Sequence, residues 1–140
     1  MSVSSNATKL AKLVHAVLSA DQTLQTLLGD PPRLYDAAPE DPVYPYLTYG
    51  PLRSSDDSGD GVSLSNHQMS LHIWSRYAGR AEVFTLLSHV ENALLSARGQ
   101  SSENARISRA TVIYADVMRA TDGRTLHGLL RLSLTLETEL

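Results

Sequence analysis

The sequence predicts an α+β fold, a two-layer sandwich in which an antiparallel or mixed four-stranded sheet carries two main helices on one face. Three observations lead there. Two stretches place apolar residues at helical spacing, the last stretch alternates strictly between apolar and polar residues, and the connections are mostly of hairpin length in the order helix, strand, strand, helix, strand, strand. Residues 1–140 are expected to form a single domain: a hydrophobic fraction of 42% and a net charge of −3 fit one globular core. A chain of this size can bury roughly 68–70% of its unfolded surface without staples.

The first helix spans about Asn6 to Ser19, where Leu10, Leu13, Val14, Val17 and Leu18 recur at three- and four-residue steps. Asp21 is placed to cap a short continuation through Leu24, Leu27 and Leu28, with a kink near Ala20, and Gly29, Pro31 and Pro32 stop it. The segment "RLYDAAPEDPVYPYLTYG" is rich in proline, so a strand can start only at about Tyr46. Residues 53–65, within "LRSSDDSGDGVSLS", have little to bury and read as a flexible acidic loop.

Met69, Leu71 and Ile73 then alternate with Ser70, His72 and Trp74, which sends His72 to the face opposite the aliphatic one. After Gly79, residues Val83, Leu86, Leu87, Val90 and Leu94 define a second long helix ending near Arg98-Gly99. An irregular strand from about Ile107 to Met118, a turn at "TDGR" and a final strand "LHGLLRLSLTLE" complete the chain. In that strand Leu130, Leu132, Leu134 and Leu136 face the core, leaving Arg131, Ser133 and Thr135 on the other side with His72 and Trp74. A polar face bearing a tryptophan suits either solvent or a subunit contact.

Composition narrows the function. There is no cysteine, hence no disulfide, thiolate metal site or cysteine nucleophile. Twelve basic against 15 acidic side chains, with no dense run of Lys or Arg, disfavour specific nucleic-acid binding. Lys9, Lys12 and His15 interrupt the N-terminal apolar residues, so no signal peptide or membrane span is expected and the chain should begin in the cytoplasm.

No chemical motif is complete. Asp56, Ser58, Asp60 and Gly61 match the start of a calcium loop, but His67 stands where the bidentate glutamate belongs, so a solvated acidic loop is the better reading. "GVSLS" around Ser63 lacks the second glycine of a nucleophile elbow and has a loop before it. His67 and His72 would point to opposite faces of a strand, and His15 and His89 occupy polar helix positions. Glu40 and Asp41 lie among prolines that fix no catalytic geometry, and no phosphate or dinucleotide loop occurs. The residues favour a structural or binding module over an enzyme, with no metal or cofactor; the alternative is a small-ligand-binding α+β domain, monomer or dimer.

Three segments together carry a resemblance. Tyr35-Asp36 with Pro45-Tyr46, then Trp74-Ser75-Arg76 through Gly79-Arg80-Ala81-Glu82, then Asp122-Gly123-Arg124 leading to His127-Gly128 resemble, in order and spacing, the tail-completion or tail-terminator proteins of long-tailed bacteriophages and related gene-transfer particles. The resemblance covers nearly the whole chain. It implies a subunit assembled in the host cytoplasm into a homohexameric ring in the neck of the virion tail. That ring would end growth of the tail tube, meet the tube protein on one side and the head connector or stopper on the other, and pass DNA without gripping it. On this reading the assembly residues are His72, Trp74 and Arg131 on the polar sheet face, Arg76 and Arg80 at the strand-to-helix junction, and Asp56, Asp57 and Asp60. Those three aspartates are expected to face the channel or a neighbouring ring, on a loop that orders on assembly.

Overall fold

A computed structural model describes residues 2–102 and 104–138. The chain runs α1 (Val3–Ala20), α2 (Gln22–Leu28), β1 (Leu34–Tyr35), β2 (Tyr46–Asp56), β3 (Ser63–Ser75), α3 (Ala81–Leu95), β4 (Ser101–Ser102), β5 (Ala105–Arg119) and β6 (Leu126–Thr138). The sheet has six strands in the order β1-β2-β3-β6-β5-β4, with β1 parallel to β2 and every other pairing antiparallel. This corrects the expected four-stranded sheet with two helices; the fold remains α+β. The extra strands β1 and β4 are two residues long, too short for any hydrophobic period, and exist only as backbone ladders to β2 and β5.

Local chemistry sets the helix boundaries. Ser2 Oγ accepts from Ser5 N at 2.9 Å to cap α1, and Asp21 Oδ1 accepts from Leu24 N at 2.9 Å to cap α2, so the expected kink is a true break between two helices. Gly29 ends α2 at φ 96°, a backbone region that favours glycine. At α3, Ser75 Oγ donates to Glu82 Oε1 at 2.7 Å and accepts from Tyr77 N at 3.1 Å, tying the end of β3 to the first helical turn.

One core lies between the helices and one sheet face. Leu10, Leu13, Val14 and Leu18 of α1 and Val83, Leu86, Leu87 and Val90 of α3 pack on Leu71, Ile73, Leu130, Leu132 and Leu134. A Cβ on Gly128 would fall 2.8 Å from Val83 Cγ1 and 3.3 Å from Leu87 Cδ1, so the missing side chain lets α3 settle directly on β6. His67 is fully buried on this face, its Nδ1 2.7 Å from Ser54 Oγ and its Nε2 2.8 Å from Ser65 Oγ, and burial pushes its pKa below the ordinary histidine value.

The acidic segment is largely regular structure. β2 continues to Asp56 and β3 begins at Ser63, so residues 53–56 and 63–65 belong to strands and the connection shrinks to 57–62, tightened by a Gly59–Val62 bridge. Residues 53–56 offered no apolar signal, but pairing with Ser65 through Gln68 gives their backbone partners without burial.

Candidate functional site

The face of the sheet away from the helices gathers most of the side chains singled out from the sequence. Register decides which of them meet. Trp74 of β3 stands opposite His127 of β6 and Tyr46 of β2, while His72 stands opposite Leu129 and Thr48. The Trp74 indole stacks on the His127 imidazole with centroids 4.0 Å apart and planes 10° apart, and Trp74 Nε1 donates to Thr48 Oγ1 at 2.9 Å. His72 Nδ1 lies 2.6 Å from His127 Nε2. The close passage of β2 beside His72 requires a glycine: a Cβ on Gly50 would sit 2.5 Å from His72 Nε2.

Tyrosines extend the cluster toward the sheet edge. Tyr46 packs on Trp74 at 6.3 Å, and Tyr44 and Tyr35 pack on Tyr46 at 5.1 and 6.0 Å. Burial first, then the neighbouring Tyr44, raises the Tyr46 phenol to about 12, so the group stays neutral. Arg76 closes the cluster, its guanidinium 4.3 Å from the Tyr44 ring centroid and its Nε donating to Thr125 Oγ1 at 3.1 Å.

Arg76 also reaches Asp122 across 3.7 Å, joining the β3–α3 junction to the β5–β6 turn. Asp122 organises that turn: its carboxylate accepts from Thr125 Oγ1 at 2.6 Å, Thr125 N at 2.8 Å and Arg124 N at 2.9 Å. Those hydrogen bonds, led by the Thr125 hydroxyl, pull its pKa down to about 2.

Below the aromatic cluster the face is a polar ladder. Arg131 Nε donates to Ser70 Oγ at 3.1 Å and its guanidinium lies 5.8 Å from the Tyr114 ring; Asn66 Nδ2 donates to Ser133 Oγ at 3.0 Å. These internal hydrogen bonds hold the polar side chains in fixed positions.

The structure therefore brings His72, Trp74 and Arg76 together, with Arg131 lower on the same face. Asp56, Asp57 and Asp60 lie at the opposite end of the sheet from Trp74, where Asp56 Oδ1 accepts from Ser58 N at 3.0 Å. Hydrogen bonds, the Ser58 hydroxyl foremost, lower the Asp56 pKa. Arg80 is exposed at the start of α3, beside Phe84, Glu91 and Asp116 and apart from the aromatic cluster. Tyr46 and His127 stood in the sequence only as strand starts and as part of the resemblance, with no role at this face, and Tyr44 and Gly50 were not singled out. The Asp-Gly turn signals the β5–β6 hairpin, but nothing local to β3 or β6 encodes the pairing that stacks Trp74 on His127.

The chain matches, over residues 12–137, the family described as tail completion protein gp17. Among solved structures, a chain from the virion of a native gene transfer agent particle aligns with a TM-score of 0.81 at 25% identity, over 94% of this chain and 96% of that one. The gp17 protein of bacteriophage SPP1 aligns with a TM-score of 0.63 at 25% identity, over 93% of this chain and 90% of that one. No curated protein sequence matches. With the family signature spanning almost the whole domain, the chain belongs to the tail completion protein gp17 family of bacteriophage and gene-transfer-agent virions.

Proposed function

We propose that the protein works in the neck of the virion tail as a ring of six identical subunits, which ends growth of the tail tube and joins the tail to the head connector. The observation that carries this reading is the near full-length likeness to a chain of an assembled gene-transfer-agent virion. The role is structural, not catalytic, in keeping with the family. The ordered polar and aromatic face around His72, Trp74, Arg76 and Arg131 is a preformed contact surface, and the acidic hairpin with Asp56, Asp57 and Asp60 is a second one. DNA passes through the ring without specific contacts, since a mildly acidic subunit repels phosphate. Subunits are made and assembled in the host cytoplasm.

The test is the mass of the purified protein across concentration, by light scattering after size exclusion, with negative-stain images, alone and with purified tail tubes. Six-fold rings, free or seated on tube ends, are expected. A particle of monomer mass that neither multimerises nor caps tubes overturns the reading.

A further inference from the structure

The sheet ends in two unlike, unpaired edges. On one side, β4 and Gly99-Gln100 pair with β5 only as far as Ile107, so from Ser108 to Arg119 its outer edge has no strand partner among the described residues. On the other, β1 pairs only with Leu47 and Thr48, leaving β2 from Tyr49 to Asp56, Pro51 among them, with no strand partner on that side among the described residues. Proteins normally blunt or cover such edges because they recruit further strands. Here the β5 edge carries bulges and charged side chains but also exposes Ile113 at 44% and Met118 at 36% of their surface.

The two edges complement each other in charge. β5 carries Arg106, Arg109 and Arg119 against Asp116, while β2 and its hairpin carry Asp56, Asp57 and Asp60 against Arg53. They also match in direction and height. Three antiparallel steps separate β2 from β5, so the strands run in opposite senses. Arg109 stands opposite Thr135, Thr135 opposite Asn66, and Asn66 opposite Ser55, which puts Arg109 level with Ser55 on the open face. Arg106 stands opposite Glu137, whose carboxylate its guanidinium also reaches at 2.9 Å, and Glu137 stands opposite Leu64, whose carbonyl accepts from Asp57 N at 2.9 Å, which puts Arg106, already ion-paired on one side, level with Asp57. The β5 bulge between Val112 and Tyr114 is level with the β2 irregularity between Tyr49 and Leu52, where a groove of about 600 Å³ opens beside α1.

A closed ring needs a heterologous contact between two different patches, and it has no translation along its axis. For strands that run along that axis, residues at equal height on the two edges meet. We propose that the β5 edge of one subunit adds antiparallel to the β2 edge of the next copy, setting Arg106 against Asp57 and Arg109 against Ser55 and continuing the sheet around the ring. This inference rests on the ring reading above and names the surface that builds it.

The absence of cysteine in the chain allows a clean test. Arg109→Cys and Ser55→Cys proteins are prepared separately, mixed under assembly conditions, with tail tubes if free subunits do not associate, and oxidised. A disulfide-linked dimer is expected from the mixture and from neither protein alone, and the doubly substituted chain should give a ladder up to the full ring. In parallel, Arg106→Glu and Asp57→Arg should each abolish the multimer at wild-type assembly concentration, and their combination should restore it. Rings that form without any cross-link in the mixture, self-linking of the Arg109→Cys protein, or charge reversals without effect overturn the edge assignment while leaving the ring intact. A wild-type chain that forms no ring in any condition overturns the ring reading and this inference together.

Discussion

His72 Nδ1 and His127 Nε2 lie 2.6 Å apart on the open face of the sheet, and this separation leaves room for a single proton between the two rings. Burial lowers both pKa values, and His72 further lowers that of His127 while Asp116 opposes it. His67, buried on the other face, is lowered by burial as well. A histidine whose folded pKa lies below its unfolded value takes up its proton first in the unfolded chain. Stability is therefore full above the unfolded value of about 6.5 and declines as pH falls from there toward the folded values. Urea unfolding of the wild type should give a falling midpoint between about pH 7 and pH 5. His127→Phe keeps a ring against Trp74 and removes one titrating group, so its decline should be shallower; an unchanged slope would show that the pair does not titrate with folding.

Arg76 joins three things at once: the Tyr44 ring, the Thr125 hydroxyl and the Asp122 carboxylate. The ion pair by itself is long and partly exposed, so it contributes little. The planar guanidinium lies over the Tyr44 ring while its Nε donates to Thr125, a combination that a single lysine ammonium reproduces only in part. Arg76→Ala should cost about 1 kcal/mol in unfolding free energy, and Arg76→Lys should recover less than half of that loss. Full recovery by lysine would mean that charge alone matters at this junction.

The two long helices, the final strand and the side of β3 that carries His72 were legible because each follows from a local period. Leu130 to Leu136 alternate within one strand, and Val83 to Leu94 repeat within one helix. The partners of those elements were not legible. Trp74 and His127 are far apart in the chain, and only the β3–β6 register brings them into contact. β1 and β4 have two residues each, and the polar ends of β2 and β3 are strands through backbone pairing rather than burial. Arg76 could be read as a junction residue, but its partner Asp122 required the β5–β6 turn to be folded back beside α3.

Gly128 sets how closely α3 lies on β6. Its missing Cβ would meet Val83 Cγ1 at 2.8 Å, and that atom belongs to a buried β-branched side chain with little room to turn. Gly128→Ala should destabilise by about 1–3 kcal/mol through overpacking. Val83→Ala makes the space and has its own cavity cost, so the double variant should be less destabilised than the sum of the two singles. Additive losses in urea titrations would place the strain elsewhere than at this contact.

The connection 57–62 separates folding from assembly most cleanly. Its residues are exposed, and its internal bonds, including the Gly59–Val62 bridge and the Asp57 N to Leu64 O hydrogen bond of 2.9 Å, are local to the hairpin. Replacing it by Asn-Gly keeps the β2–β3 register, because Asp56 and Ser65, which already pair, then flank a loop of Asn, Gly, Ser63 and Leu64, a length common in tight hairpins. The fold should survive with a stability change within about 0.5 kcal/mol, because no core side chain is touched. Particle production should suffer instead, as the shortened hairpin removes Asp57 and Asp60 from the proposed contact surface. Complementation of a particle lacking this protein, scored as the yield of joined heads and tails, should therefore fall sharply while circular dichroism and the urea midpoint stay as in the wild type. A wild-type yield from the shortened hairpin would mean that assembly does not use Asp57 or Asp60.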